Sequence, residues 1–308
     1  MNCLNKKIKT AFSLVEISIV LMVIGILITG VSKGIDLFYD FKLGQAQSMT
    51  AKSPVISTPN LTLWLETTSP NSFEVKLPLN NDKIAIWKDL NPQRIFKVNV
   101  SQSTLANKPT YVDNAINNLP ALKFANDIEL RSENLALNDF LSSDQATIFI
   151  VQNNFSGDIY TTTISWIPTA NNQDGGSELA RLNISAQEGD AVLIDYGSGG
   201  GASVRTSSAS LTNFLNKDKI ISFVKNSANV NLRINFDETS KTSTSATSVL
   251  SASLSAPFIV GRFRASNDYF FNGYIGEIII FDRALNESER KKIEDYLSEK
   301  WGINIKRT

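Results

Sequence analysis

Carboxylates, aromatic rings and one glycine-rich loop are the groups of this chain suited to chemistry, because histidine is absent and the one cysteine is Cys3. Ser-His and Cys-His nucleophilic pairs are therefore excluded, and the commonest metal ligand is missing. Two carboxylates on one face of a strand, spaced E-x-D-x-E, would serve as acid and nucleophile at a glycosidic bond. The nearest approach is GEIIIFD, where strand alternation puts Glu277 with Ile279 and Phe281 and sends Asp282 to the other face. The pair is not assembled, and the expectation is that the chain is not an enzyme. Tyr160 and Trp166 are candidates for stacking on a sugar ring, with Asp195 as a polar contact near the glycine loop Gly197-Ser198-Gly199-Gly200-Gly201. That loop lacks the Lys-Ser/Thr and the following helix of a phosphate cradle. Asp174, Asp190 and Asp195 fit no calcium-loop spacing, so no cofactor is implied and calcium in the head is unsupported.

One further carboxylate stands where charge is costly. From Phe12 to Val31 the chain is apolar almost without interruption, enough at ~1.5 Å per helical residue to cross a ~30 Å hydrocarbon layer. Glu16 interrupts it, and a carboxylate in that setting calls for a partner. Lys6, Lys7 and Lys9 precede the run with no acid among the first eleven residues, which keeps that end cytoplasmic and places the remainder outside. After Val31 the positions Ile35, Phe38, Ala46 and Met49 recur at helical steps, so one rod is expected to about Lys52. Pro54 and Pro59 then mark a linker.

The stretch KTAFSLVEISIVLMVIGILI resembles the type IV prepilin signature, in which a basic leader is cut just before a Phe and a Glu stands four residues after it. The resemblance implies cleavage between Ala11 and Phe12 by prepilin peptidase, N-methylation of Phe12, and filament assembly through Phe12 and Glu16, the acid pairing with the amine of a neighbouring subunit. The family usually has Gly where this chain has Ala11. Many pilins also close a C-terminal loop with a disulfide, which a chain with only Cys3 cannot form. Loss of the leader leaves 27 basic residues against 30 acidic ones, so no nucleic-acid partner is expected.

From residue 60 onward, short β-rich runs alternate with Ser/Thr/Asn/Gly turns: LTLWLE, KIAIW, ALKF, ATIFIVQ, TTTISWI, AVLIDY, KIISFVK, NVNLRINF, PFIVGRF and YIGEIIIF. Asn286 with Glu289 makes a capping box, Ile293, Tyr296 and Leu297 share a face, and Gly302 stops a closing helix. Trp64 and Trp87 are assigned to the core, and Trp301 to packing on the sandwich. The blocks LWLETTSPNSF, IAIWKDLN and FNGYIGEIIIFDRALNESERKKIEDYLSEKWGI resemble the bacterial LamG-like, concanavalin A-like jelly roll. The family often has Gly and Asn in the turn after Trp87-Lys88-Asp89, and this chain has Leu90-Asn91-Pro92 there.

The expected fold is mainly β, a long N-terminal transmembrane helix followed by an antiparallel β-sandwich and a short C-terminal helix. Its parts are a leader (1–11), a membrane and filament helix (12–52), a linker (53–59) and a LamG-like head (60–308). The expected function is that of a minor type IV pilin with a lectin-like head, single-pass in a bacterial inner membrane and then in a pilus. Partners would be prepilin peptidase, other pilin or pseudopilin subunits, and a glycan or surface protein. The alternatives are a type II secretion pseudopilin engaging cargo and a membrane-tethered carbohydrate-active enzyme.

Overall fold

The computed structural model describes residues 13–132, 145–155, 161–166, 215–226, 257–263 and 269–305, and by backbone alone residues 181–187, 191–197, 203–207 and 229–234. By internal contacts the chain divides into two units, Met1–Gly44 and Gln45–Thr308.

In the first unit the apolar run forms one helix, α1 (Leu14–Ala51, 38 residues). It is long and apolar enough to cross a membrane, the property shared by single-pass anchors and signal sequences. Every large apolar side chain from Leu14 to Ile28 is exposed within this unit. The last residues of α1 belong to the second unit, where Ala46 is buried and Met49 packs beside it. The expected linker contains one further turn, α2 (Pro54–Ser57), opened by Pro54 in the first helical position, where its missing N–H costs nothing.

Two antiparallel sheets make the second unit. The strands are β1 (Leu61–Glu66), β2 (Ile86–Trp87), β3 (Val100–Ser101), β4 (Thr110–Ile116), β5 (Leu119–Phe124), β6 (Leu130–Ser132), β7 (Gln145–Asn154), β8 (Thr161–Trp166), β9 (Arg181–Gln187), β10 (Ala191–Gly197), β11 (Ser203–Ser207), β12 (Lys219–Asn226), β13 (Asn229–Ile234), β14 (Phe258–Val260) and β15 (Gly273–Phe281). The first sheet runs β13-β12-β7-β15-β5-β4. On β15 the edge away from β7 is divided, residues 273–275 pairing with β5 and residues 277–281 with β1. The second runs β11-β10-β9-β8-β14-β6-β3-β2.

Why β1, β7, β12 and β15 read as near-continuous apolar runs follows from cover on both faces. One face of the first sheet meets the second sheet, giving a core of Leu63, Leu65, Trp87, Ile148, Ile150, Trp166, Phe223, Phe258, Ile278 and Ile280 among others. The opposite face, with Trp64, Phe149, Val151, Ile279 and Phe281, lies under a C-terminal helix, α3 (Glu287–Trp301). That helix starts as expected. Asn286 accepts from the Glu289 N–H at 3.0 Å while Glu289 accepts from the Asn286 N–H at 3.1 Å. Arg283 clamps Glu289 with two bonds of 2.8 and 2.7 Å, which together hold the Glu289 carboxyl below its usual range. Gly302 closes the helix in the left-handed region at φ 61°. Asn117 donates to the Trp301 carbonyl at 2.9 Å, in space that a side chain on Gly302 would invade.

Candidate functional site

Glu277 does share its face with Ile279 and Phe281, yet that face is the one sealed by α3. Its cross-strand partner is Glu66, so two carboxylates stand opposite one another on β1 and β15 with no exposed side-chain area. Like charges so placed repel. Lys300 of α3 lies between them, 2.8 Å from Glu66 and 2.9 Å from Glu277. The remaining lone pairs are also taken. Glu277 accepts from Trp64 Nε1 at 2.8 Å, Tyr296 Oη at 2.9 Å and Trp301 Nε1 at 2.8 Å. Glu66 accepts from the Thr68 and Ser69 backbone N–H groups and from the Thr68 and Ser72 hydroxyls.

Burial pushes the Glu66 carboxyl up, but the Lys300 charge and the hydrogen bonds from Lys300 and Thr68 outweigh it and hold the group below its usual range. Burial alone would lower Lys300; the charges of Glu277 and Glu66 raise it instead. Tyr296 is raised by burial and by the Glu277 charge, and donates its proton. This pair of carboxylates is a saturated clasp that fastens α3 to the sheet, with no lone pair or path left for a substrate. Gly276 belongs to the same device, since a Cβ there would lie 2.5 Å from the Trp301 ring.

Asp89, in the turn after Trp87, is likewise structural. Its two oxygens accept from the backbone N–H groups of Trp64, Asn91 and Val98 at 3.0, 2.9 and 3.1 Å. Burial pushes its carboxyl up against those bonds.

A polar group also faces the inter-sheet core. Gln152 and Asn154 continue on β7 the series Ile148 and Ile150, and Lys219 opposes Gln152 on β12. Gln152 donates to Asn154 Oδ1 at 2.8 Å, and the Lys219 ammonium lies 3.4 Å from the same oxygen. Burial brings the Lys219 pKa down to about 7 in spite of the Asp218 charge.

Another polar cluster lies on the outer face of the second sheet. Leu130 and Val260 point into the core, which turns Glu129, Arg131 and Ile259 outward. Glu129 is buried and holds two arginines, Arg131 at 2.6 Å and Arg262 at 3.2 Å. The Arg131 side chain is 39 % exposed. Arg262 lies over the Phe270 ring at 5.1 Å. Among the described residues the buried Thr163 hydroxyl has no hydrogen-bond partner, while the Thr163 carbonyl accepts from the Gly261 N–H at 2.8 Å. Two guanidinium groups thus meet on one buried carboxylate. Sequence reading missed these residues because they lie in three separate segments with no motif. The pointer in sequence was the Arg flanked by core residues in LRS and VGRF.

Of the residues expected at a site, Ala11, Phe12 and Tyr160 lie outside the described residues, as do Asp174, Asp190 and residues 198–201. Asp195 is in β10, with its side chain outside them too. Trp166 is corrected: it is 1 % exposed in the inter-sheet core because alternation along β8 turns it inward with Ile164, so it offers no face to a sugar. Glu16 is exposed in the first turn of α1 and accepts from the Ser13 N–H at 2.8 Å. Trp64, Trp87 and Trp301 are core, as expected.

Helix and head together define a β-sandwich protein carrying an apolar N-terminal helix. No family model matches the chain, and no curated protein matches it. Among solved structures it is similar to Trypanosoma rangeli sialidase in complex with sialic acid, at 13% identity and TM-score 0.46, over 79% of this chain and 34% of that one. It is also similar to domain 4 of AbnA, a GH43 extracellular arabinanase from Geobacillus stearothermophilus, in complex with arabinotriose, at 17% identity and TM-score 0.45, over 77% of this chain and 98% of that one. A Streptococcus pneumoniae NanB sialidase variant matches over 55% of this chain and 26% of its own, at 14% identity and TM-score 0.41. The chain spans about a third of the sialidase chains it matches. These neighbours overturn the expectation that the chain is not an enzyme: they are named as sialidases and as a domain of an arabinanase, and that exclusion is withdrawn.

Proposed function

We propose that the chain is a pilin-like subunit, cut by prepilin peptidase between Ala11 and Phe12, whose α1 enters a filament of the type IV pilus kind and whose sandwich displays a glycan- or protein-binding surface. The observation that carries this reading is the single acid of α1. Glu16 stands in the first turn of a helix whose apolar side chains are exposed throughout residues 14–31 and which follows a basic leader. In the isolated chain its carboxylate is used on the Ser13 N–H, at the positive end of the helix. A methylated amine on Phe12 of a neighbour would meet it there in a low-dielectric bundle, where a charge pair is far stronger than at a wet surface.

Arg131, whose side chain is 39 % exposed on the second sheet, is the residue through which that surface is tested. The test has two arms. Glu16→Val is expected to leave membrane insertion intact and abolish recovery in sheared filaments, and unchanged recovery would count against the filament. A glycan array probed with the protein and with Arg131→Ala is expected to lose its signal in the variant; equal signals would remove this face from the reading.

A further inference from the structure

At one end of the inter-sheet core, β7 and β12 turn polar side chains inward where their middles supply apolar ones. Lys219, Gln152 and Asn154 are 2, 1 and 0 % exposed. Lys219 stands opposite Gln152, and Asn154 lies two residues further along β7 on the same face, on the diagonal that a long side chain spans. Lys219 Nζ is 3.4 Å from Asn154 Oδ1, which puts it within ~4.6 Å of the Cγ bonded to that oxygen. The backbone of Asn154 is fixed too: it pairs with Gly273 of β15, and its carbonyl accepts from the Asn216 N–H at 2.7 Å.

Hydrogen bonding leaves this group incomplete. Gln152 Nε2 donates to Asn154 Oδ1 at 2.8 Å, but among the described residues neither Asn154 Nδ2 nor Gln152 Oε1 has a partner. Buried polar atoms without partners are costly, and so is a buried ammonium. With its pKa brought down to about 7, Lys219 is about half uncharged at neutral pH, and an uncharged amine is a nucleophile. The adjacent Asp218 carboxylate is engaged elsewhere, by Asn153 Nδ2 at 2.8 Å and the Asn117 N–H at 3.2 Å.

We infer that the Lys219 amine displaces ammonia from the Asn154 carboxamide, joining β12 to β7 by an amide bond between Lys219 Nζ and Asn154 Cγ. The Nζ lone pair adds to Cγ, and the charge that develops on Oδ1 meets the Gln152 Nε2 donor already bonded there. One Nζ proton passes to Nδ2, the Cγ–Nδ2 bond breaks with its electron pair on nitrogen, and ammonia leaves as the carbonyl reforms. Nothing is oxidised or reduced, and the product removes both the buried ammonium and the unpartnered NH2 group. The groups are 65 positions apart and meet through the pairing of β7 with β12, so the reaction follows folding. Newly folded protein holds the titrating amine, and aged protein the amide. With Cys3 the one cysteine, the bond ties the head as no disulfide within this chain could, and it needs neither a filament nor a ligand.

Mass spectrometry of the full chain in detergent, held at pH 8 and sampled over time, tests the bond. The expected result is a growing fraction lighter by one ammonia, in which the peptide carrying Asn154 is recovered joined to the one carrying Lys219 and trypsin no longer cuts after Lys219. Lys219→Met, which loses the buried charge and keeps the head folded by tryptophan emission, should hold its full mass. The joined peptide is read in the parent itself, so the result does not depend on how the variant folds. An undiminished mass in folded parent protein overturns the inference. So does an ammonia deficit that persists in Lys219→Met, or one found on an unjoined Asn154 peptide, the mark of a ring that Asn154 closes on its own backbone.

Discussion

Lysine 219 is the residue whose behaviour is most tightly dictated by its surroundings. It is 2 % exposed between two sheets, and burial takes its pKa from 10.5 down to about 7. A base with a lowered folded-state pKa gives up its proton in the folded state first. Between pH 7 and 10.5 the unfolded chain therefore holds more protons, and stability rises with pH at up to ~1.4 kcal/mol per unit. Below about pH 7 both states are protonated and the whole penalty, on the order of 5 kcal/mol at most, is present. Lys219→Met should remove the slope and stabilise the head at pH 7 by a few kcal/mol, less the bond to Asn154. Lys300 does not confuse the window, since its raised pKa gives stability that is lost only above 10.5. The assay is urea unfolding of the full chain in detergent, followed by tryptophan fluorescence at pH 7, 8 and 9. All four tryptophans are buried in the head, so α1 is silent. Parallel curves for parent and variant, separated by a constant offset across that range, would refute the reasoning.

Other outcomes follow from the same geometry. Lys300→Met leaves Glu66 and Glu277 facing each other unpaired and should lower unfolding stability by ~3–5 kcal/mol; adding Glu277→Gln should recover part of that loss in the same urea assay. Gly276→Ala drives a methyl group into the Trp301 ring and should cost ~1–3 kcal/mol, with altered tryptophan emission before unfolding begins. Thr62 is fully buried with its hydroxyl unpartnered among the described residues, so Thr62→Val should raise the urea midpoint, by ~1 kcal/mol in stability.

Strands with both faces covered were plain in the sequence, because ATIFIVQ, KIISFVK and YIGEIIIF carry apolar residues at successive positions. Strands β4, β9 and β11 were not. RLNISAQ and SVRTS are polar at most positions and TYVDNAI at three of seven, and β4 and β11 are terminal in the sheet orders. The closing helix was legible because Asn286, Glu289 and Gly302 act locally. The clasp was not. Glu66 and Lys300 are 234 positions apart; the register of β1 against β15 sets Glu66 opposite Glu277, and the packing of α3 brings Lys300 to both. Trp166 misled for a related reason: an aromatic in a strand stacks on a ligand or on the opposite sheet according to which face it takes, and a run like TTTISWI does not say which face is covered.

The divided edge of β15 has a consequence for how the head comes into being. The strand that joins β7 to both β1 and β5 is the last one in the chain, and the helix whose lysine neutralises the two glutamates is later still. Until those residues are made, β1 has no strand partner among the described residues. A polypeptide that stops short of Gly273 therefore leaves β1 without the strand it pairs with, and the clasp of Glu66, Glu277 and Lys300 cannot form.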